Sequence, residues 1–402
     1  MAGYRDLLRT PGVARMIAAQ LVARFPSGML SLAILLHVEQ QTGSYGAAGI
    51  VLAAASVGQA VAGPVTSRWM GAWGMRRVLT LTALVCVVAL LCLALLPLNV
   101  PGYMALALLA GLSTPPVQAA VRTIYPKLVN SGQLTPLFSL DASLQEIIWI
   151  VAPVVITVVS TQVGTVEGLL LVATILLFGG AWFIFSPEVG RVRIPRSRRA
   201  FGRVVLKPPV MLATAIGFLL IGAASAVEVG VVATFGHDGL EAGLVLAVFS
   251  VGSLVGGLAF GHIPIGPWAM ARRLLIVTVG LCLTMLSLNV FWLGGTLLLA
   301  GLGVAPALAV LFAITTASVK FSETAEAFGW AGTGQLIGAA LGSAIAGILI
   351  DLNGPTGAYL AATLFAAAGL LVSVVFVRFF PDLRDRDPSP HPDTEPITTA
   401  QP

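Results

Sequence analysis

Three ionisable side chains stand inside long apolar runs of this 402-residue chain: Arg24 in AAQLVARFPSG, Glu146 in LQEIIWIVAP and Glu228 in ASAVEVGVV. An Arg at the centre of a membrane helix costs about 2.5–3.5 kcal/mol on insertion scales, so such groups face water, one another or a ligand. Two chemistries follow. A carboxylate reached from two sides in turn can carry a proton, and a guanidinium can hold a carboxylate or an anionic substrate. Pro26, two residues past Arg24, can bend the helix there. Glu146 lies at a depth close to that of Arg24, so the two are expected to pair if their helices adjoin. Glu228, about a turn and a half from the end of its run, reads either as a proton site open to one face or as a carboxylate reaching outside water. Gln20, Gln59, Gln118, Gln145 and Gln335 add neutral hydrogen-bonding groups for a substrate.

Other chemistry finds no support. His37, His237 and His262 fall at the ends of runs and His391 lies in the tail, so no cluster suggests a metal. Cys86, Cys92 and Cys282 sit within runs and read as packing thiols. The chain has neither a glycine-rich phosphate loop nor a nucleophile–base set, which excludes ATP as the direct energy source and argues against an enzyme; no cofactor is expected.

The elements that must position these residues are legible from composition. Apolar residues make up 57% of the chain and charged ones 10%, against about 25% charged in an ordinary soluble domain. A bilayer-spanning helix needs roughly 20 apolar residues, and twelve such runs occur, at about 12–37, 44–66, 78–97, 102–121, 137–160, 166–186, 209–233, 242–262, 274–293, 295–318, 326–350 and 356–380. They are continuously apolar rather than alternating, which predicts helices and not a membrane barrel. With the N-terminus in the cytoplasm, every Lys and Arg except Arg24 falls on the inner side, while the outer loops hold Glu39, Glu167, Asp238, Glu241 and Asp351. That bias predicts a multi-pass protein of the cell membrane with both termini cytoplasmic. The net charge of +5 is then accounted for by topology, without nucleic-acid binding.

The chain also repeats itself. AGIVLAAASVGQAVAG at 48–63 returns as AGLVLAVFSVGSLVGG at 242–257, and Arg76-Arg77-Val78-Leu79 returns as Arg272-Arg273-Leu274-Leu275. Gln145 and Gln335 match at an offset of 190, as do Phe138 and Phe328. The expected organisation is a six-helix bundle over 1–190, a basic linker over 191–208, a second six-helix bundle over 209–380 and a disordered tail over 381–402. Parallel repeats of this kind place a substrate site at the repeat interface near mid-membrane.

At the loop after the second run, GPVTSRWMGAWGMRRVL, the chain resembles the major facilitator superfamily of secondary transporters. Gly63, Arg68, Gly74, Arg76 and Arg77 match the family's loop signature; its Asp is missing, its place taken by Ser67 or Gly71 depending on the anchor. The resemblance implies an all-α membrane fold of twelve helices in two pseudo-symmetric bundles, with the loop latching the cytoplasmic side. It implies that Arg76 and Arg77 need another acid, for which Asp141 is a candidate. The fifth run, IIWIVAPVVITVV, keeps Pro153 but not the glycines of the family's drug–proton antiporters, so the chain is loosely similar to the efflux-permease branch. The expectation is proton-coupled export of a small organic compound by a monomer in the lipid bilayer. An importer or facilitator of a small polar solute, or a membrane sensor without transport, is the alternative.

Overall fold

The computed structural model describes residues 4–393 except 198–199, 237–239, 262 and 385. Asp238, His237, His262, Arg198 and Arg199, and the tail from residue 394, lie outside the described residues. Helix follows helix: α1 (Tyr4–Arg9), α2 (Val13–Thr42), α3 (Tyr45–Trp73), α4 (Met75–Leu95), α5 (Val100–Leu112), α6 (Val117–Leu128), α7 (Ser131–Gln162), α8 (Thr165–Phe185), α9 (Pro187–Arg191), α10 (Pro208–Phe235), α11 (Leu240–Phe260), α12 (Ala269–Thr284), α13 (Val290–Ala317), α14 (Phe321–Asn353) and α15 (Thr356–Val375). Eleven stretches among the described residues are long and apolar enough to cross a membrane, with α5 and α6 together forming one of them. The twelfth expected run is α12, 16 residues long.

The expected run at 102–121 is not one helix. It breaks between α5 and α6 at Thr114-Pro115-Pro116, because two successive prolines supply no N–H and crowd the preceding turn. The second piece continues to Leu128, which carries Arg122 inside a helix rather than at its end.

The two halves pair their helices alike. In the first, α2 packs on α7 and α8, α3 on α5, and α4 on α8; in the second, α10 packs on α14 and α15, α11 on α13, and α12 on α15. The repeated sequence is the reason. A Cβ on Gly58 would lie 2.6 Å from the Leu108 carbonyl oxygen, and a Cβ on Gly111 would strike the Ala55 carbonyl. In the second half Gly252 sits on the carbonyl of Leu298 and Gly301 on that of Phe249. Each half thus locks two helices backbone to backbone through the same glycines, the close approach that lipid-embedded helices use in place of a hydrophobic drive.

The tail departs from expectation. The Leu383 N–H donates to the Ile265 carbonyl at 2.8 Å, His391 exchanges backbone hydrogen bonds with Val319 and Phe321, and the Asp393 carboxylate accepts from the Ser322 N–H at 3.2 Å. Within the described part of the segment expected to lack order, Leu383, His391 and Asp393 are thus fastened to the ends of the second bundle, where N–H groups and carbonyls accept a strand-like partner. Cys86 is buried as expected, whereas Cys282 is exposed on the outer surface of its helix.

These contacts lead to a stability prediction. Gly111→Leu and Gly301→Leu each lower the melting temperature of the detergent-purified protein by several degrees, since overpacking costs about 1–3 kcal/mol. Gly49→Leu, with nothing within 4 Å of its Cβ position, leaves the melting temperature within a degree or so of wild type.

Candidate functional site

Three polar pairs four residues apart, Gln20/Arg24 on α2, Gln118/Arg122 on α6 and Asp141/Gln145 on α7, each fall on one face of a helix. Arg24 and Asp141 are both about 15 Å along their helices from the ends that carry the basic residues, at 1.5 Å per residue, so packing of α2, α6 and α7 brings the pairs together. Arg24 donates from Nη1 to Gln20 Oε1 at 2.8 Å and to Asp141 Oδ1 at 3.1 Å, and from Nη2 to Gln145 Oε1. Arg122 donates from Nε to Asp141 Oδ2 at 3.2 Å and from Nη2 to Gln145 Oε1 at 3.3 Å. The Tyr125 hydroxyl donates to Asp141 Oδ1 at 3.1 Å. With its amide oxygen turned to the guanidinium, Gln118 accepts from Arg122 Nη1 and Nη2, both at 2.7 Å.

The cluster is dry. Asp141 is 0% exposed, Arg122 2% and Arg24 7%. One carboxylate therefore serves two guanidiniums, and its oxygens are spent on three donors. From the second bundle, Phe312 of α13 lies flat against Arg122, 3.4 Å from Cζ to ring centroid, with Phe328 of α14 at 5.8 Å. Phe138 completes a nest of three rings whose centroids are 6.1–6.4 Å apart. A desolvated guanidinium over a ring face gains about 2 kcal/mol.

Several sequence expectations change here. Arg24 pairs with Asp141, not Glu146, because the 100° step per residue turns Glu146 away from α2 and toward α11. There Glu146 Oε1 accepts from the Ser253 hydroxyl at 2.9 Å, and Ser253 accepts from the Ala305 N–H at 3.1 Å. Glu228 on α10 borders an open pocket of about 540 Å³ together with Val229, Val232 and Ala233. Gln145 belongs to the cluster, but its repeat partner Gln335 does not: it packs beside Gly217, its amide nitrogen buried without a partner.

Asp141 is likewise not the acid of the loop. Arg76 instead donates to the carbonyls of Ile184, Phe185 and Ser186, closing the end of α8, and Arg77 is exposed. Arg68 pairs across the bundles with Glu326 of α14, whose other oxygen accepts the Gly202 N–H of the linker at 2.8 Å. Gly63 lies against Gly329, and Gly74 turns the chain between α3 and α4 with φ +94°. Glu188 and Glu323, acids that the loop reading passed over, pair with Arg15 and Lys207.

Every hydrogen bond between the bundles lies in their basic halves among the described residues: Arg68 to Glu326, Thr333 to the Ala60 carbonyl, Ser139 and Tyr4 to the Gly257 carbonyl and, deepest, Ser253 to Glu146. Here too the halves match, since Ser139 on Gly257 is the repeat counterpart of Gly329 on Gly63.

Two like helical bundles in a membrane, joined on one side around buried charge, define a polytopic transporter. The family model described as Major Facilitator Superfamily matches residues 16–288 and 210–401. The chain belongs to that superfamily, whose members are transporters and not enzymes. Among solved structures it is similar to the human organic anion transporter MFSD10 (TETRAN), with 15% identity, a TM-score of 0.70 and coverage of 90% of this chain and 98% of that one. It is also similar to a bacterial homologue of the iron transporter ferroportin in an outward-facing state, with 14% identity, a TM-score of 0.67 and coverage of 91% and 98%. No curated protein sequence gives a significant match.

Removing the shared carboxylate should be costly. Asp141→Asn strands two buried guanidiniums and lowers stability by about 3–5 kcal/mol, read as a large loss of folded protein on size exclusion and a lower melting temperature. Glu146→Gln, which can still accept from Ser253, stays near wild type in the same assay.

Proposed function

We propose that the protein is a secondary active transporter of the cell membrane, both termini cytoplasmic, that exports a small organic compound against proton entry by alternating access, as a single chain. The observation that carries this reading is a carboxylate deep in the membrane joining the two bundles, Glu146 Oε1 on α7 accepting from the Ser253 hydroxyl on α11, with a second membrane carboxylate, Glu228 on α10, beside an open pocket. A proton arriving on Glu146 removes the negative charge that strengthens its hydrogen bond with Ser253. Protonation thereby changes how firmly the bundles hold together at that level, which is the coupling an exchanger needs. Ionisable groups at this depth are functional candidates by default.

The orientation is supported by the segregation of Lys and Arg to one side. On that orientation the bundles are closed toward the cytoplasm by Arg68–Glu326 and the packing of Phe138, Phe312 and Phe328, while toward the outside no hydrogen bond joins them among the described residues. Arg68, Gly63 and Gly74 keep the roles of a gate loop, with Glu326 standing in for the absent Asp. Organic cargo is favoured by the apolar and aromatic surroundings of the polar groups and by the likeness in fold to an organic anion transporter.

Two measurements test this. In proteoliposomes, addition of a transported compound drives proton flux through wild type, and Glu146→Gln and Glu228→Gln each reduce it at least tenfold while remaining folded; compound movement without proton flux marks a facilitator, and binding without any flux a sensor. Arg68→Glu lowers transport severalfold, and Arg68→Glu combined with Glu326→Arg restores it. A double exchange no better than Arg68→Glu alone removes the latch from the mechanism.

A further inference from the structure

The cluster around Asp141 does not balance. Arg24 and Arg122 bring two positive charges, Asp141 brings one negative, and among the described residues no second carboxylate hydrogen-bonds or pairs with either guanidinium. Glu146, next in sequence to Gln145, is turned to Ser253 and does not supply the missing charge. A net positive charge held this dry is expensive unless an anion completes it.

The unsatisfied donors indicate where that anion sits. Gln20 is fully buried, its Oε1 is fixed by Arg24 Nη1, and its Nε2 has no hydrogen-bond partner. Of the five N–H donors of a guanidinium, Arg24 uses three, toward Gln20, Asp141 and Gln145. Gln20 Nε2 and two N–H donors of Arg24 are thus unspent. Arg24 is also the more accessible of the two guanidiniums, 7% exposed against 2% for Arg122, so an anion arriving through the cleft meets it first. On its other side Arg122 is covered by the buried rings of Phe312 and Phe328.

We infer that Gln20 and Arg24, backed by the positive charge of Arg122, form the binding site for an organic anion, held by its carboxylate, as the cargo of this transporter. This rests on the transport reading and names its substrate class. The carboxylate takes one oxygen to Arg24 and the other to Gln20 Nε2. Bound, it neutralises the cluster; released, it leaves the excess charge that makes the empty site ready to bind again.

The test is binding to the purified full-length chain in detergent, which needs neither a gradient nor proton coupling and so fails or succeeds separately from the flux measurements. Benzoate raises the melting temperature of wild type in a saturable manner, whereas neutral benzamide and cationic benzylamine do not. Arg24→Lys keeps the charge but loses the fork of donors, and weakens benzoate at least tenfold. Gln20→Leu removes the orphaned donor together with the oxygen that accepts from Arg24 Nη1; the variant remains folded but melts a few degrees lower without ligand, and it weakens benzoate at least fivefold. Equal effects of benzoate and benzamide, or benzoate binding unchanged in both variants, would overturn the assignment. Saturation of the same shift by chloride or inorganic phosphate at equal concentration would also overturn it, by making the site one for inorganic anions.

Discussion

Hydrocarbon offers no hydrogen bonds and solvates no charge, so every polar group that enters it must find its partner within the protein. That constraint explains why a chain with so few charges spends several in one place. Asp141, Arg24, Arg122, Tyr125, Gln20, Gln118 and Gln145 come from only three helices and answer one another almost completely. The two exceptions, the excess positive charge and the amide nitrogen of Gln20, mark the point at which the protein is not self-sufficient.

The internal repeat shows which parts of the structure are scaffold. Gly58 with Leu108 and Gly252 with Leu298 make the same contact in the two halves, as do Gly111 with Ala55 and Gly301 with Phe249. The contact between halves is also duplicated, through Gly63 with Gly329 and Gly257 with Ser139. Against that symmetry the polar cluster is one-sided. At the offset of 190 that relates α6 to α13, the counterpart of Arg122 is Phe312, and these two residues stack on each other. Positions once equivalent have become a cation and the ring that covers it. Packing is shared by both bundles, and the distinctive chemistry has been built into one.

Much of this was legible in the sequence. Apolar run lengths set the helices, the repeat set the two bundles, and the cost of a buried Arg drew attention to Arg24. The pairing of Arg24 was misassigned because depth along a helix was considered without azimuth: Glu146 matches Arg24 in depth, but Asp141 and Gln145 share the facing side, and Glu146 does not. Arg122 was taken for a topological charge because its run was ended at residue 121; the helix continues to Leu128. The pattern VQAAVRTIYPKL carries the correction, with Gln118, Arg122 and Tyr125 recurring at helical spacing. The contact between Arg68 and Glu326 spans 258 residues of chain, and no local pattern reports a separation of that size. The order in the tail rests on backbone hydrogen bonds, which composition does not register.

The position of the cluster bears on how the bundles separate. Asp141 ties α7 to α2 and α6 within the first bundle, while Arg122 lies against the ring of Phe312 in the second. The first set of contacts is charge paired with charge and exacts several kcal/mol when broken in a dry site. The second is a cation against a ring, about 2 kcal/mol or somewhat more when desolvated. Flanking it across the same interface are contacts of similar modest strength: the half-wet pair of Arg68 with Glu326, the hydroxyl of Ser139 on Gly257, and the hydroxyl of Thr333 on Ala60. The strong interactions therefore lie inside a bundle and the weak ones between bundles. On the alternating-access reading proposed above, a structure graded in this way parts along its interface before either bundle deforms, and the cluster travels intact with the first.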